Sequence, residues 1–557
     1  MKNKSSLLWI LKHAKKEALL LSVLGLTGMI TSSAYVIPAL LSRRVINAVT
    51  GGGSIAAAKA DLFFSGGVLL LVILLQLALS MLSTHLSAML SGRLEMKIRT
   101  EFFETLLHKK YAHISKFHSG EILNRFTSDI DVVVNGITTL IPQTLSIFAK
   151  LCAGLIVVAS FSAKYALVSV LFGICILGFA LLFRPFYKRI HKAAQEAAGI
   201  SRSFTQECVE NIVVVKTLSK RAGVLEKLNS HLQKLYRIKL RRSLVGNFAS
   251  AGVSLIFTCL YYGTLFWGAF SILNDAMDYG TLMAFLQIVS QIQSPFLSAS
   301  GLVTLLYSAM GSAERLMEPE NFENEKTDSP IDTAVYKNTK AICAENLSFG
   351  YSDAPVISGT TFSLPKGSLV AITGSSGAGK STLFRLLLGL FSPTGGKLYL
   401  ETETGKVMID ETCRPLFSYV PQGNLLFSGT IRENIKFLNP TVSDAQMDEA
   451  ARAACIYDFI KSLPKGFDTE IGERGGGLSE GQIQRISVAR ALCADAPILL
   501  LDECTSALDI ETEEAMLRNI AKLNTKTVLF ISHKNAAFSF CDVHLKMEDK
   551  KFCVAER

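Results

Sequence analysis

The chain has 557 residues, 49% of them hydrophobic and only 19% charged, against roughly 25% charged in an ordinary soluble protein. That length allows more than one folding unit, and a mean hydropathy of +0.34 points to lipid as the solvent of part of the chain. The formal net charge of +10 is spread between apolar runs with no aromatic-interleaved patch, so no nucleic-acid partner is expected.

At the N-terminus, Ser6 to Leu21 is interrupted by Lys12, His13, Lys15, Lys16 and Glu17, and no small-residue cleavage site follows, so no removable signal peptide is expected. Six apolar segments then follow, at 18–41, 62–90, 138–160, 165–183, 248–272 and 281–305. A span needs about 20 apolar residues to cross the hydrocarbon layer, and each segment qualifies or nearly so. Segments three and four are parted by Ser162 and Lys164, which predicts a tight hairpin rather than one long helix.

Orientation follows the positive charges, which stay cytoplasmic. Residues 93–135 carry Arg93, Lys97, Arg99, Lys109, Lys110, Lys116 and Arg125, and residues 184–247 carry a longer series ending in Arg241 and Arg242. The loop at Asp275 and Asp278 has no basic residue. A multi-pass protein of the cell membrane with both termini cytoplasmic is expected; Arg43 and Arg44, at the outer end of the first span, run against this pattern. The two cytoplasmic connections keep helical apolar spacing without Gly/Pro clusters, so they should be helices that leave the bilayer and return.

Within the spans, Gln287 and Gln291 share one helix face, and Gln76, Tyr261, Tyr262 and Tyr307 are further polar positions. They either line an aqueous pathway or pack the bundle through interhelical hydrogen bonds. Pro142 and Pro295 are candidate kinks. Glu318 to Lys340 is polar and poor in aliphatics, as in a solvated linker. The expected division is a membrane domain at 1–311, a linker at 312–340 and a soluble α/β domain at 341–557. The eleven cysteines are scattered with no C-x-x-C and are expected to be reduced core thiols, not metal ligands.

The soluble part carries the sharpest local signal. Gly374, Ser375, Ser376, Gly377, Ala378, Gly379, Lys380 and Ser381 fit G-x-x-x-x-G-K-[ST], following an apolar strand to Thr373 and opening a helix at Thr382. Such a loop turns backbone N–H groups toward phosphate, while its lysine reaches the terminal phosphates and its hydroxyl can ligate magnesium. Further on, Ile498 to Glu503 reads as a buried strand ending in two acids, of which Asp502 could serve magnesium and Glu503 orient water. His533 stands at the end of another apolar strand, Val528 to Ser532, where parallel sheets gather their ligands.

Together with Leu478-Ser479-Glu480-Gly481-Gln482, Val420-Pro421-Gln422, Ser506-Ala507-Leu508-Asp509 and Tyr351, these elements resemble an ABC transporter half of the exporter type, also called type IV. The membrane part fits as well, through Gly120 to Asp131 and Ala313-Glu314-Arg315. The resemblance implies a six-helix membrane domain with long cytoplasmic helix extensions, joined to a P-loop nucleotide-binding domain with a RecA-like core and a helical subdomain. It implies ATP and Mg2+ as ligands, with Tyr351 on the adenine and the loop residues Gly374 to Thr382 on the phosphates. Magnesium falls to Ser381, Gln422 and Asp502, catalysis to Glu503 as general base and His533 at the γ-phosphate.

The resemblance further implies a second half-transporter chain, because Ser479, Gly481 and Gln482 of one copy would cover the ATP of the other. Short helices near Lys109 to Lys116 and Thr205 to Val215 would carry the motion to the membrane. Glu480 replaces the middle glycine of the signature, which predicts reduced rather than absent function. The short tail after His533 predicts no regulatory extension, and no N-terminal peptidase domain is expected. The expected activity is ATP-driven export of an unknown substrate. The alternatives are a nucleotide-gated channel or regulatory membrane protein, and an importer with the same fold. An intact Glu503 favours a homodimer; Glu480 keeps a heterodimer open.

Overall fold

Only a helix bonds all of its own backbone inside a lipid layer, and the apolar runs of this chain are helical throughout. The computed structural model describes residues 2–50, 55–217, 221–326, 330–351, 354–423, 426–472, 475–522, 526–532 and 541–555. They fall into two units, Met1–Glu104 with Ser119–Glu320, and Thr105–His118 with Asn321–Arg557.

The helices begin with α1 (Lys2–Lys16), α2 (Ala18–Ala34), α3 (Ile37–Thr50), α4 (Ile55–His108), α5 (Tyr111–Ile114) and α6 (Ser119–Asn124). After a π turn at Arg125–Asp129 come α7 (Ile130–Phe161), α8 (Ala163–Glu210), α9 (Ile212–Thr217), α10 (Arg221–Leu273) and α11 (Tyr279–Met317). Four stretches among the described residues are long and apolar enough to cross a membrane: Ala18–Thr50, Ile55–His108, Ser119–Phe161 and Arg221–Leu273. Ala163–Ile174 and Tyr279–Ile292 are shorter apolar stretches of α8 and α11. The 54 residues of α4 rise about 80 Å in all, far beyond the roughly 30 Å of hydrocarbon, so the helix continues out of the bilayer as expected.

Ser162 separates α7 from α8 in an extended conformation, and its side chain caps the Tyr165 N–H at 3.4 Å. The third and fourth spans are therefore two helices. Arg44 pairs with Asp61 at 2.6 Å and Arg43 with Asp278 at 3.4 Å, which offsets the two cations that run against the charge pattern. Pro142 lies within an uninterrupted α7; the side chain of Pro295 lies outside those described.

At the other end of this unit, Asp129 accepts from Ser312 Oγ and Arg315 Nε, both at 2.8 Å, and Arg125 donates to the Arg315 carbonyl at 2.8 Å. Gly120 to Asp131 and Ala313 to Arg315, singled out separately in the sequence, thus meet.

The soluble unit contains β1 (Thr339–Phe349), β2 (Ile357–Pro365), β3 (Leu369–Gly374), α12 (Lys380–Leu387), β4 (Gly395–Thr402), β5 (Gly405–Met408) and β6 (Phe417–Val420). A more helical stretch follows: β7 (Gly429–Thr430), α13 (Ile431–Lys436), α14 (Asp444–Ala453), α15 (Tyr457–Ser462), β8 (Glu470–Ile471) and α16 (Glu480–Cys493). Then come β9 (Ile498–Asp502), α17 (Ile510–Ala521), β10 (Thr527–Ile531), β11 (Val543–Glu548) and β12 (Lys551–Ala555).

One six-stranded sheet, in the order β12-β11-β3-β10-β9-β6, is parallel except for β12, and a four-stranded antiparallel sheet runs β2-β1-β4-β5. Central strands alternate between two cores: Leu369, Ala371, Leu499, Leu501, Val528 and Phe530 face one, and Val370, Ile372, Ile498, Leu500, Leu529 and Ile531 the other. Burial on both faces explains their continuous apolar runs.

The polar stretch from Glu318 to Lys340 departs from the expectation of a solvated linker. Within the second unit Glu325 forms an ion pair with Arg414, the Ile331 N–H donates to the Thr412 carbonyl at 3.0 Å, and Tyr336 is buried with its hydroxyl 2.5 Å from Thr527 Oγ1. Two apolar residues and one acid suffice to anchor a stretch whose average composition is polar. The same unit includes α5, whose Tyr111 ring meets Phe391 edge-on at 5.7 Å, while His113 stacks on Phe322 at 5.1 Å.

Candidate nucleotide site

The carboxyl ends of parallel strands form the natural ligand edge of such a sheet. β10 lies between β3 and β9, so the loop after β3 and the acids after β9 come to the same edge. Gly374 and Gly379 hold φ at 147° and 116°, and a Cβ at Gly379 would sit 2.6 Å from Val356 Cγ1. Only glycine fits such a turn without strain.

Lys380, 4% exposed, turns back to donate to the carbonyls of Gly374 and Ser375, each at 2.9 Å. Burial pushes its ammonium below the ordinary range while Glu503 and Asp502 push it up, so the loop encloses a cation that an arriving phosphate would stabilise. Ser381 Oγ donates to Asp502 Oδ1 at 3.0 Å, and Tyr419 OH donates to Asp502 Oδ2 at 3.2 Å. Asp502 is 1% exposed; burial raises its carboxyl above the ordinary value, and the bonds from Ser381 and Tyr419 counter this. A hydroxyl and a carboxylate oxygen are hard donors that suit Mg2+, which keeps most of its remaining positions for water and phosphate.

Glu503, the next residue, holds φ at +50° and its N–H donates to the Ile531 carbonyl at 3.2 Å. A glutamate in this backbone region marks a position held by its surroundings. Its Oε2 accepts from Gln422 Nε2 at 2.6 Å. The structure thus brings Ser381, Asp502, Glu503 and Gln422 to one place, from three separate parts of the sequence.

Tyr351 is half exposed; its hydroxyl lies 3.2 Å from Thr382 Oγ1 and accepts from Arg385 at 2.9 Å, and its ring meets Phe391 edge-on. Ser375, Ser376, Gly377 and Ala378 form the loop between β3 and α12. His533 lies outside the described residues.

Ser479 is the N-cap of α16, with its side chain and that of Gln482 in a reciprocal capping box. The helix begins at Glu480, because the cap fixes the first turn. Among the described contacts, the side chains of Ser479 and Gln482 bond to this helix start and reach no phosphate-loop residue. Gly481 packs near the Ala507 carbonyl, where a Cβ would sit at 3.0 Å.

Tyr419 and Gln484 were not singled out in the sequence. Gln484 ties α16 to the segment after Glu503 by donating to Ser506 Oγ at 2.9 Å and accepting from the Ala507 N–H at 3.2 Å. A glutamine inside the apolar run of α16 was the available signal. In the membrane unit, Gln287 donates to Ser42 Oγ at 3.2 Å, a bond between α11 and α3. Gln291 and Tyr261 are half-buried, Tyr262 and Tyr307 are exposed, and Gln76 Nε2 finds no partner among the described residues. Lys150, within the third apolar segment, was also passed over, although its charge is plain in the sequence.

Two family patterns match: residues 21–296 match the ABC transporter transmembrane region, and residues 357–506 the ABC transporter domain. An ATP-dependent lipid A-core flippase of Desulfotalea psychrophila is 30% identical over 439 residues, 76% of either chain. An uncharacterized ABC transporter ATP-binding protein, YknU of Bacillus subtilis, is 28% identical over 531 residues, covering 92% of this chain and 88% of the relative. Among solved structures, a bacterial Atm1-family ABC exporter with ATP bound matches with a TM-score of 0.83 and 22% identity, over 97% of this chain and 94% of that one. That last likeness speaks for the fold.

Proposed function

This chain belongs to the ABC transporter family, and from that premise we propose that it is one half of a pump in which two chains close around ATP and hydrolysis drives export. The family carries ATP binding and a place in the membrane; the cell membrane, cytoplasmic termini and outward direction are parts of the proposal, supported by the basic residues of 93–135 and 184–247. The observation that carries it is the meeting of Ser381 with Asp502 and of Gln422 with Glu503 at one sheet edge.

In this reading the loop N–H groups and Lys380 bind the terminal phosphates, and the half-exposed Tyr351 ring offers a stacking face for adenine. Ser381, Asp502 and Gln422 would hold magnesium, which when bound offsets charge on the phosphate oxygens. Glu503 takes a proton from the attacking water as general base. Its bond to Gln422 must open or shift for that, so a residue assigned to magnesium also restrains the base. His533 is assigned to the γ-phosphate by family resemblance.

The signature residues Ser479, Gly481 and Gln482 are assigned to the ATP of a second chain, since their bonds stay within their own helix start. Exposed Val209, Ile212, Val213 and Val214 at the α8–α9 junction support a dimer, because such an apolar patch outside lipid calls for cover. Glu480 puts a carboxylate at the first position of α16, near where a partner's phosphate would come, and so slows closure. An intact Glu503 favours two identical chains, and Glu480 keeps a different partner open.

Cysteines placed at Ser376 and Ser479 of the Glu503→Gln chain, purified alone, test the arrangement. Disulfide-linked dimers above the parent chain's background, only with ATP and magnesium, are the expected result. No such increase would remove the homodimer and require another subunit.

A further inference from the structure

Tyr419 touches the acid assigned to magnesium, and the way it is held makes that contact directional. β6 runs parallel to β9, with Tyr419 beside Leu500 and Val420 beside Leu501. Strand side chains alternate between faces, so Val420 enters the core on one side of the sheet and Tyr419 turns to the other, where α12 packs. There its ring meets the fully buried Phe384 edge-on at 6.3 Å. The ring is thereby fixed, and its hydroxyl reaches the end of β9 to donate to Asp502 Oδ2 at 3.2 Å.

One helix serves both ends of this contact. α12 supplies Phe384, which holds the Tyr419 ring, and Ser381, whose Oγ donates to Asp502 Oδ1 at 3.0 Å. The two oxygens of Asp502 therefore have different neighbours. Oδ1 meets the hydroxyl assigned to magnesium, and Oδ2 meets a phenol, which keeps its proton at neutral pH. A serine hydroxyl rotates to suit its partner, so Ser381 can turn its hydrogen away from Oδ1 when a cation engages its oxygen. The tyrosine bond to Oδ2 does not depend on that hydrogen and stays.

This asymmetry bears on which cation the site accepts. Mg2+ demands near-ideal octahedral geometry and keeps several waters, whereas Ca2+ accepts roughly six to eight oxygens and often both oxygens of one carboxylate. With Oδ2 engaged by Tyr419, Asp502 offers a single oxygen. Presenting both would break the tyrosine bond at a side chain only 1% exposed, where leaving a hydrogen bond unmade is costly.

We propose that Tyr419 is a positioning residue that sets the cation preference of the ATP site: by holding Oδ2 it keeps Asp502 to one oxygen and so favours Mg2+ over Ca2+. The inference rests on the ATP-site reading above and deepens it with a residue that acts through Asp502. A tyrosine that merely packed β6 against α12 would, on losing its hydroxyl, weaken nucleotide binding alike with either cation.

The test reads binding without turnover. The full chain and its Tyr419→Phe variant, which keeps the ring, are titrated in nanodiscs with a fluorescent non-hydrolysable ATP analogue in saturating Mg2+ or saturating Ca2+, and the two dissociation constants are compared. The parent should bind more tightly with Mg2+, and Tyr419→Phe should shrink that preference by about threefold or more, the scale of one hydrogen bond. In an Asp502→Asn chain the same tyrosine change should leave the preference unmoved, because the carboxylate it acts through is gone. A parent without preference, an equal loss of affinity with both cations, or the same shift in the Asp502→Asn chain would overturn the proposal. Failure of the parent to bind the analogue with either cation would overturn the ATP-site reading itself, and the proposal with it.

Discussion

The ATP-binding unit and the membrane unit use charge in opposite ways. At the sheet edge, Lys380, Asp502 and Glu503 crowd together and are held by short bonds to Gly374, Ser381, Tyr419 and Gln422. In the six apolar segments, Lys150 is the single Asp, Glu, Lys or Arg. Phosphate chemistry needs several atoms placed within about 3 Å of one another, and such demands leave a dense motif in the sequence. Lipid asks only for apolar length. In the first unit the motif names the function; in the second the apolar pattern gives the spans alone.

The largest effect that would sharpen this contrast is at Asp502. Asp502→Asn should reduce magnesium-dependent turnover by about 100-fold or more, as expected for loss of a metal ligand or preorganised charge. The same change should stabilise the nucleotide-free chain. Burial raises the folded-state pKa of Asp502, so the folded chain holds that proton more tightly than the unfolded one. Stability from this group is present below its ordinary pKa of 3.8 and is lost as pH rises through the raised value. At neutral pH the carboxylate is a net cost that asparagine removes, and the melting temperature without nucleotide should rise by about 1–3 °C. A lower melting temperature with unchanged turnover would break the contrast.

A smaller effect is expected at Asp129 in the membrane unit, a buried carboxylate that accepts from Ser312 and Arg315. Because Arg315 is half exposed, Asp129→Asn should cost only about 1–2 kcal/mol, read as a lower melting temperature with ATP binding unchanged. A loss of ATP affinity as deep as that of a phosphate-loop variant would show that the two networks are not separate.

How far the fold was legible follows the same division. The strand–loop–helix at Thr373 to Thr382 and the buried acidic strand were readable because each is local. The pairing of Tyr419 with Asp502 was not, since β6 and β9 are joined only by the order of the sheet. The helical extensions beyond the bilayer were readable from unbroken periodicity, and the Ser162 break from two polar residues. The anchoring of Glu318 to Lys340 was hidden because Ile331 and Tyr336 are outnumbered by polar neighbours. Lys150 was visible but unread, because hydropathy averages absorb a single charge.

The central claim is that Glu503 is the catalytic base of an ATP site this chain completes with a copy of itself. Magnesium-dependent ATP hydrolysis by the chain purified alone in nanodiscs, beside its Glu503→Gln variant, tests it most directly. The account predicts clear turnover by the parent and a loss of about 100-fold or more in the variant. Equal turnover in both would remove Glu503 from the mechanism, and silence in both would contradict the self-sufficient dimer.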